Sequence, residues 1–252
     1  MPSHHTYAEL LPIMTFMQNT KRLLLALFLL ALPPHASAEL DAVLTDAGWD
    51  EIDFDDKPTN AFFATSSDVA GLSLRVVSES SVSVAFKPYA EGDVDLKVTP
   101  KLTWSWLSRS PDPDTDTSQK GGDDRTLAIY VAFPYQPDEV SFGEKVERKL
   151  IEALRGKDTP GRVLTYVWGG GAPVGQGFEN PYTGKYGHMI IVEAPGAALN
   201  TWHDRIVDVR ADFISAFGYE PASPLYIGIG SDSDDTATEI TAEVRGLRFV
   251  TD

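Results

Sequence analysis

Three carboxylates and three hydroxyls stand in six consecutive residues, Ser231-Asp232-Ser233-Asp234-Asp235-Thr236. Hard oxygen donors of this kind are what Ca²⁺ takes as ligands, so Asp232 and Asp234 are candidate ligands of a structural calcium ion. The run is no EF-hand, because Ala237 stands where that loop needs glycine. Asp112, Asp114 and Asp116 form a second acidic run, with Pro113 inside it and again no such glycine. Both runs read equally well as solvated turns, with no cofactor at all.

A second cluster, Gly121-Gly122-Asp123-Asp124-Arg125, opens an apolar stretch ending Tyr130-Val131-Ala132-Phe133. Asp124 beside Arg125 at a strand mouth can hold a polar ligand through paired charge-assisted hydrogen bonds. The same residues can instead build a turn whose aspartate accepts backbone N–H groups and pairs with the arginine. Aromatic pairs recur at i, i+2: Trp104 with Trp106, and Tyr166 with Trp168. Side chains alternate along a strand, so each pair shares one face. If those faces are exposed they form platforms for stacking on sugar rings, together with Trp202; if they face a core they are packing. Gly169-Gly170-Gly171, with Gly175 and Gly177, reads as a loop at a site entrance and lacks the Lys-Ser/Thr of a phosphate cradle.

Catalytic constellations are thin. Of 5 histidines only His188 and His203 stand beyond residue 38, too few for a three-histidine zinc site. There is no G-x-S-x-G elbow, and the zero cysteine count excludes thiolate metal sites, disulfides and cysteine nucleophiles. Carboxylate pairs for glycoside hydrolysis or lyase chemistry stay open, with Asp124, Asp212 and Asp232 as acid and base, since spatial pairing is not written in a sequence.

The elements that would position these groups are mostly strands. Residues 69–77 and 80–86 alternate and suggest a hairpin turning at Glu79-Ser80. Residues 93–98 and 101–107 alternate again, broken by Pro100. Residues 125–133 are apolar enough for a central strand, and further strands fall at 163–168, 188–193, 202–209, 225–230 and 240–250. Helix is expected over residues 141–155, with Val146, Leu150, Ile151 and Leu154 on one face, and over 211–217, stopped by Gly218. About ten strands at this spacing with one or two short helices predict a jelly-roll-like β-sandwich.

Residues 1–38 read as an address. Lys21 and Arg22 precede the apolar run Leu23 to Leu32, and Ala36-Ser37-Ala38 supplies small residues before Glu39, the order of a cleaved export signal. Ten apolar residues fall short of the roughly 20 that span a membrane. The long stretch before Lys21 raises Met14 or Met17 as the true start. Loss of residues 1–38 removes Lys21, Arg22 and Glu9 and leaves 214 residues with 19 basic and 36 acidic side chains, a net charge of −17. That balance argues against nucleic acid as a partner. One exported domain over residues 39–252, soluble and periplasmic or secreted, is the expectation.

Taken in order, the motifs are Trp104-x-Trp106, Gly122-Asp123-Asp124-Arg125, Tyr130-Val131-x-Phe133 and Leu164-x-Tyr166-Val167-Trp168. Then come Trp202, Val207-x-Val209-x-x-Asp212-Phe213, Ile227-x-Ile229 with Asp232-x-Asp234-x-Thr236, and Gly246-x-x-Phe249. This order resembles a family of exported bacterial proteins known only as a domain of unknown function, over residues 40–250. Arg125 stands earlier than that family's usual arginine, and Asp235 stands where asparagine is common. The resemblance implies an exported single-domain β-sandwich with no established activity. The residues suggest a non-catalytic domain that binds a glycan or cell-envelope polysaccharide through Trp104, Trp106, Asp124, Arg125, Tyr166, Trp168, Trp202 and Asp212. A hydrolase or lyase on the same polymer, or a structural envelope component, are the rivals; oligomeric state stays open.

Overall fold

The computed structural model describes residues 40–54, 57–155 and 159–251. The export signal read from residues 1–38 lies outside them. In chain order the elements are α1 (Ala42–Asp46), β1 (Asp50–Asp53), β2 (Ala61–Ala64), β3 (Leu72–Glu79), β4 (Val82–Pro88), β5 (Lys101–Ser108) and β6 (Arg125–Phe133). Then follow α2 (Phe142–Arg155), β7 (Arg162–Trp168), β8 (Gly177–Asn180), β9 (Gly184–Glu193), β10 (His203–Asp208), α3 (Val209–Phe217), β11 (Tyr226–Asp232) and β12 (Glu239–Val250). A seven-stranded sheet in the order β1-β4-β11-β6-β7-β9-β8 faces a five-stranded sheet in the order β10-β5-β12-β3-β2. All ladders are antiparallel except β7 with β9. The chain is the β-sandwich its alternation predicts, and β6 lies at the centre of the larger sheet.

The core lies between the sheets. Leu74, Val76, Leu102, Trp104 and Trp106 come from one sheet and Leu127, Ile129, Leu164, Tyr166 and Trp168 from the other. Trp104 is 2% exposed and Trp106, Tyr166 and Trp168 are 0% exposed. Trp104 meets Trp106 edge-on at 5.2 Å and Tyr166 at 6.0 Å, and Trp106 meets Trp168 at 5.4 Å. These aromatics therefore pack the interior rather than present a face for sugars to stack on.

Three local readings are corrected. The hairpin expected at Glu79-Ser80 is a corner instead: β3 pairs with β2 and β12, whereas β4 pairs with β1 and β11 in the other sheet. Ser80 takes φ +50° there. Buried side chains satisfy the backbone at this crossing. The Ser78 hydroxyl donates to the Ser81 carbonyl at 2.8 Å, and the Asn60 amide donates to the carbonyls of Ser83 and Ser231 at 3.0 and 2.9 Å. Residues 93–98 form a turn, not a strand, because Asp95 Oδ1 accepts from the Lys97 N–H at 2.9 Å and competes with a ladder. The alternation there still reports burial, since Val94 and Leu96 enter the core. In α2 the expected apolar face does not hold at Val146, which is 55% exposed; among the described side chains of the helix the buried one is Arg148, stacked on Tyr135 at 5.0 Å.

Helix α3 starts on Asp208, whose side chain accepts from the Ala211 N–H, and ends where Gly218 adopts φ +83°. It drops Phe213 onto Phe133 at 4.5 Å and so closes one end of the sandwich. No helix among the described residues is long and apolar enough to cross a membrane.

Truncating an indole of this interior removes both its transfer energy and its packing. Trp106→Ala should lower stability by about 3–5 kcal/mol in urea unfolding. A change below about 1 kcal/mol would mean that Trp106 is not a core side chain.

Candidate functional site

The mouth of β6 and the end of β11 meet at one corner of the larger sheet. A register shift between Gly230 and Asp232 interrupts their pairing, leaving Asp232 opposite Arg125. A bulge of this kind re-aims side chains where a strand ends. Ser231 Oγ donates to the Arg125 carbonyl at 3.3 Å and fixes the two strand ends together. Gly169 of the glycine loop runs alongside the start of β6, where a Cβ would stand 3.6 Å from the Arg125 Cα, and its φ of +120° is one that favours glycine. Gly170 abuts Thr117, so the glycine loop rests on the acidic loop that precedes β6.

Asp124 is fully buried. Its Oδ1 accepts from the Asp235 N–H at 3.3 Å, and its Oδ2 accepts from the Thr236 N–H at 2.7 Å and from the Thr236 hydroxyl. It thus caps the loop between β11 and β12 rather than its own turn. Arg125 is 8% exposed; Nη1 lies 3.1 Å from Asp232 Oδ2, and Nη2 donates to the Tyr130 hydroxyl at 2.7 Å. Asp123 points outward, where its Oδ1 accepts from the Tyr182 hydroxyl at 2.9 Å. That hydroxyl also accepts from the Gly121 N–H at 2.8 Å, so the Tyr182 ring is held by two bonds while remaining 54% exposed. Lys120 stands over the ring at 5.7 Å. Lys57 pairs with Asp234.

Asp124, Asp232 and Asp234 each bring a carboxylate oxygen within 4.8 Å of the others. Two cations, Arg125 and Lys57, face four carboxylates once Asp123 is counted. Burial raises the Asp232 carboxyl to about 7; Arg125 pulls it back, and Asp123 and Asp124 push it further up. The other acidic run engages backbone and hydroxyl donors instead, at Asp112 outside its own loop and at Asp116 within it. Asp112 accepts from the Gly196 N–H at 2.7 Å and from the Thr126 hydroxyl, and Asp116 accepts from the Ser118 N–H at 3.1 Å.

The predicted site residues therefore separate. Asp124, Arg125, Asp232 and Asp234 converge at the corner, although the sequence placed them in two motifs. Trp104, Trp106, Tyr166 and Trp168 lie in the core and leave the candidate ligand set. Asp212 is half-buried at the edge of that core and is engaged there, accepting from the Tyr166 hydroxyl at 3.0 Å. Trp202 is half-buried beneath the Arg245 guanidinium at 4.1 Å, away from the corner's residues. Sequence reasoning missed Tyr182 and Lys57, which reach the corner from distant loops and carry no local signal.

A family profile described as "Protein of unknown function (DUF3047)" matches residues 47–248, and the chain belongs to that family. This agrees with the resemblance carried by the motifs. No curated protein matches the chain. Among solved structures, the family 11 xylanase from Neocallimastix patriciarum is similar at 10% identity and a TM-score of 0.39, over 81% of this chain and 92% of that one. Likeness of that degree settles neither fold nor chemistry.

Because the folded Asp232 carboxyl titrates above its ordinary value, the folded state holds this proton more tightly than the unfolded chain. Its contribution is present below the ordinary carboxylate range and is lost as pH rises toward about 7. Relative to the native chain, Asp232→Asn should gain stability as pH climbs from about 4 to about 7, by at most about 4 kcal/mol. Urea unfolding of both proteins across that range checks it; a flat difference would show that Asp232 is not held protonated.

Proposed function

We propose that this member of the DUF3047 family is an exported, non-catalytic domain that binds a neutral, hydroxyl-rich glycan of the cell envelope at the Tyr182–Asp123–Arg125 corner. The observation that carries the reading is the Tyr182 ring, exposed yet fixed by its hydroxyl between Asp123 and the Gly121 N–H. An immobilised aromatic face stacks on a sugar ring with little entropy to lose. The adjoining Asp123 carboxylate, held in place by Arg125 behind it, supplies an acceptor for the sugar hydroxyls. The acidic charge of the chain favours a neutral polymer over a sulfated one. The signal-like residues 1–38 support a place outside the cytoplasm, where a chain without cysteine holds its fold by its core alone.

Binding rather than hydrolysis is favoured by how the corner's carboxylates are spent. Both oxygens of Asp124 are capped by the 235–236 loop, and Asp232 is 3% exposed against Arg125. A glycosidase needs its two carboxyls across an open cleft with room for a sugar or a water.

Calorimetric titration with neutral envelope polysaccharides should give binding heat, and Tyr182→Ala should weaken it about ten-fold or more, as for a stacking anchor. Asp123→Asn should weaken it by a smaller factor. Since Tyr182 is largely exposed, the Ala variant should keep its melting temperature. An absence of heat with every polymer, or full binding by Tyr182→Ala, would remove this site as the locus.

A further inference from the structure

We infer that Asp124, Asp232 and Asp234 bind one divalent cation of the calcium class, which clamps the β11–β12 loop onto the mouth of β6. The three carboxylates gather oxygens within 4.8 Å of one another from segments far apart in the chain. An acidic cluster alone is an ordinary surface feature; what distinguishes this one is Asp232. Its side chain is 4% exposed, its Oδ2 faces Arg125 at 3.1 Å, and its Oδ1 is buried with no hydrogen-bond partner. A buried carboxylate oxygen that no N–H reaches is costly, and three carboxylates gathered this closely need a positive centre among them, which either a proton shared between Asp232 and Asp124 or a cation in its place supplies. Arg125 supplies charge on one side only, and its planar fork is already committed to Asp232, the Asp123 carbonyl and the Tyr130 hydroxyl.

The donor chemistry is that of a hard cation. Every group is an oxygen, and the Thr236 hydroxyl stands beside Asp124 as a neutral donor to the same loop. Calcium accepts mixed, irregular oxygen shells completed by water, whereas magnesium demands a near-ideal octahedron. Lys57 is the competitor: its ammonium sits on Asp234 from the solvent side with the lysine side chain 44% exposed. The Asp234 side chain is itself 10% exposed, and a single lysine gives way to a divalent ion that engages three carboxylates at once. The clamp would join Asp124, the loop and β11 at the place where the register shift breaks their ladder. This inference is independent of the glycan reading, since no sugar ligand enters the site or its test.

The test uses the purified protein stripped with EDTA, titrated with Ca²⁺ alone by calorimetry and followed by thermal unfolding. One equivalent should bind, and at a hundred-fold excess over Kd the melting temperature should rise by about 5–10 °C. Asp234→Asn, whose partner is an exposed lysine, should keep the fold and lose affinity about ten-fold or more, because calcium affinity follows ligand charge. Lys57→Met should shift affinity the opposite way, to several-fold tighter, which a misfolded variant could not mimic. Asp114→Asn, in the other acidic run, should leave binding unchanged. No heat and no shift at millimolar Ca²⁺ would overturn the site. So would binding that survives Asp234→Asn intact, or a shift with Mg²⁺ equal to that with Ca²⁺.

Discussion

The sandwich depends on filling the gap between its sheets without a disulfide, and Trp104, Trp106, Tyr166 and Trp168 do most of that filling. Facing sheets stand roughly 10 Å apart, a distance that large side chains from both sides must span. The indole N–H groups of Trp104, Trp106 and Trp168 are buried without hydrogen-bond partners. Each such group costs about 1–3 kcal/mol. A buried indole removes roughly 150–250 Å² from water, worth about 4–6 kcal/mol at 25 cal/mol/Å². Burial wins at each position, and the edge-on contact of Trp104 with Trp106, at 77° between planes, offers a ring face as a weak acceptor in place of an oxygen. Tyr166 needs no such compromise, because Asp212 accepts a hydrogen bond from its hydroxyl.

An interior so apolar pushes charge to the rim, where it must be partnered side chain by side chain. The corner around Arg125 shows what that requires. A guanidinium 8% exposed is tolerable only with acceptors on several sides, and Asp232, the Asp123 carbonyl and the Tyr130 hydroxyl provide them. Asp124 does the reciprocal work for the backbone, accepting the Asp235 and Thr236 N–H groups of the turn that follows β11. The β-bulge, the acidic loop and the glycine loop thus meet at one place: the bulge sets Asp232 opposite Arg125, Asp124 caps the turn beyond β11, and Gly170 lets the neighbouring loop close over Thr117.

Strand identity was legible wherever apolar side chains alternate over seven residues or more, as in Arg125–Phe133 and Arg162–Trp168. The four-residue strands β1, β2 and β8 carry too few side chains to show a period. Alternation also reports burial rather than pairing, which is why Val94 and Leu96 signalled a strand while Asp95 was building a turn. The serine-rich corner after β3 was misread for a related reason. Glu79-Ser80 has turn chemistry, but whether the next strand folds back or crosses to the other sheet depends on Asn60 and Ser233, which are distant in sequence. At the site, Asp232 and Asp234 were legible by type and Asp124 by its place at a strand mouth. Their convergence was not, because it follows from β11 lying beside β6, and the sequence places other strands between them. The tryptophans misled for the opposite reason: a pair at i, i+2 marks one face of a strand without saying which face is wet.

Two buried arginines allow a last comparison. Arg162 is enclosed by Tyr186, Phe217 and Tyr219 at 5.3–5.8 Å, and it donates to Glu144 at 2.6 Å and to the Gly161 carbonyl at 2.9 Å. Its single charge meets a single close carboxylate, so its charge is balanced, although its Nε, like that of Arg125, is buried without an acceptor. Arg125 meets two carboxylates while two more stand within reach of the same corner, and one oxygen among them has no donor. Packing alone has no use for that surplus of negative charge, since like charges brought together inside a protein destabilise it. That surplus, beside an exposed, doubly anchored tyrosine, is the reason the proposed reading rests at this corner rather than on the tryptophans.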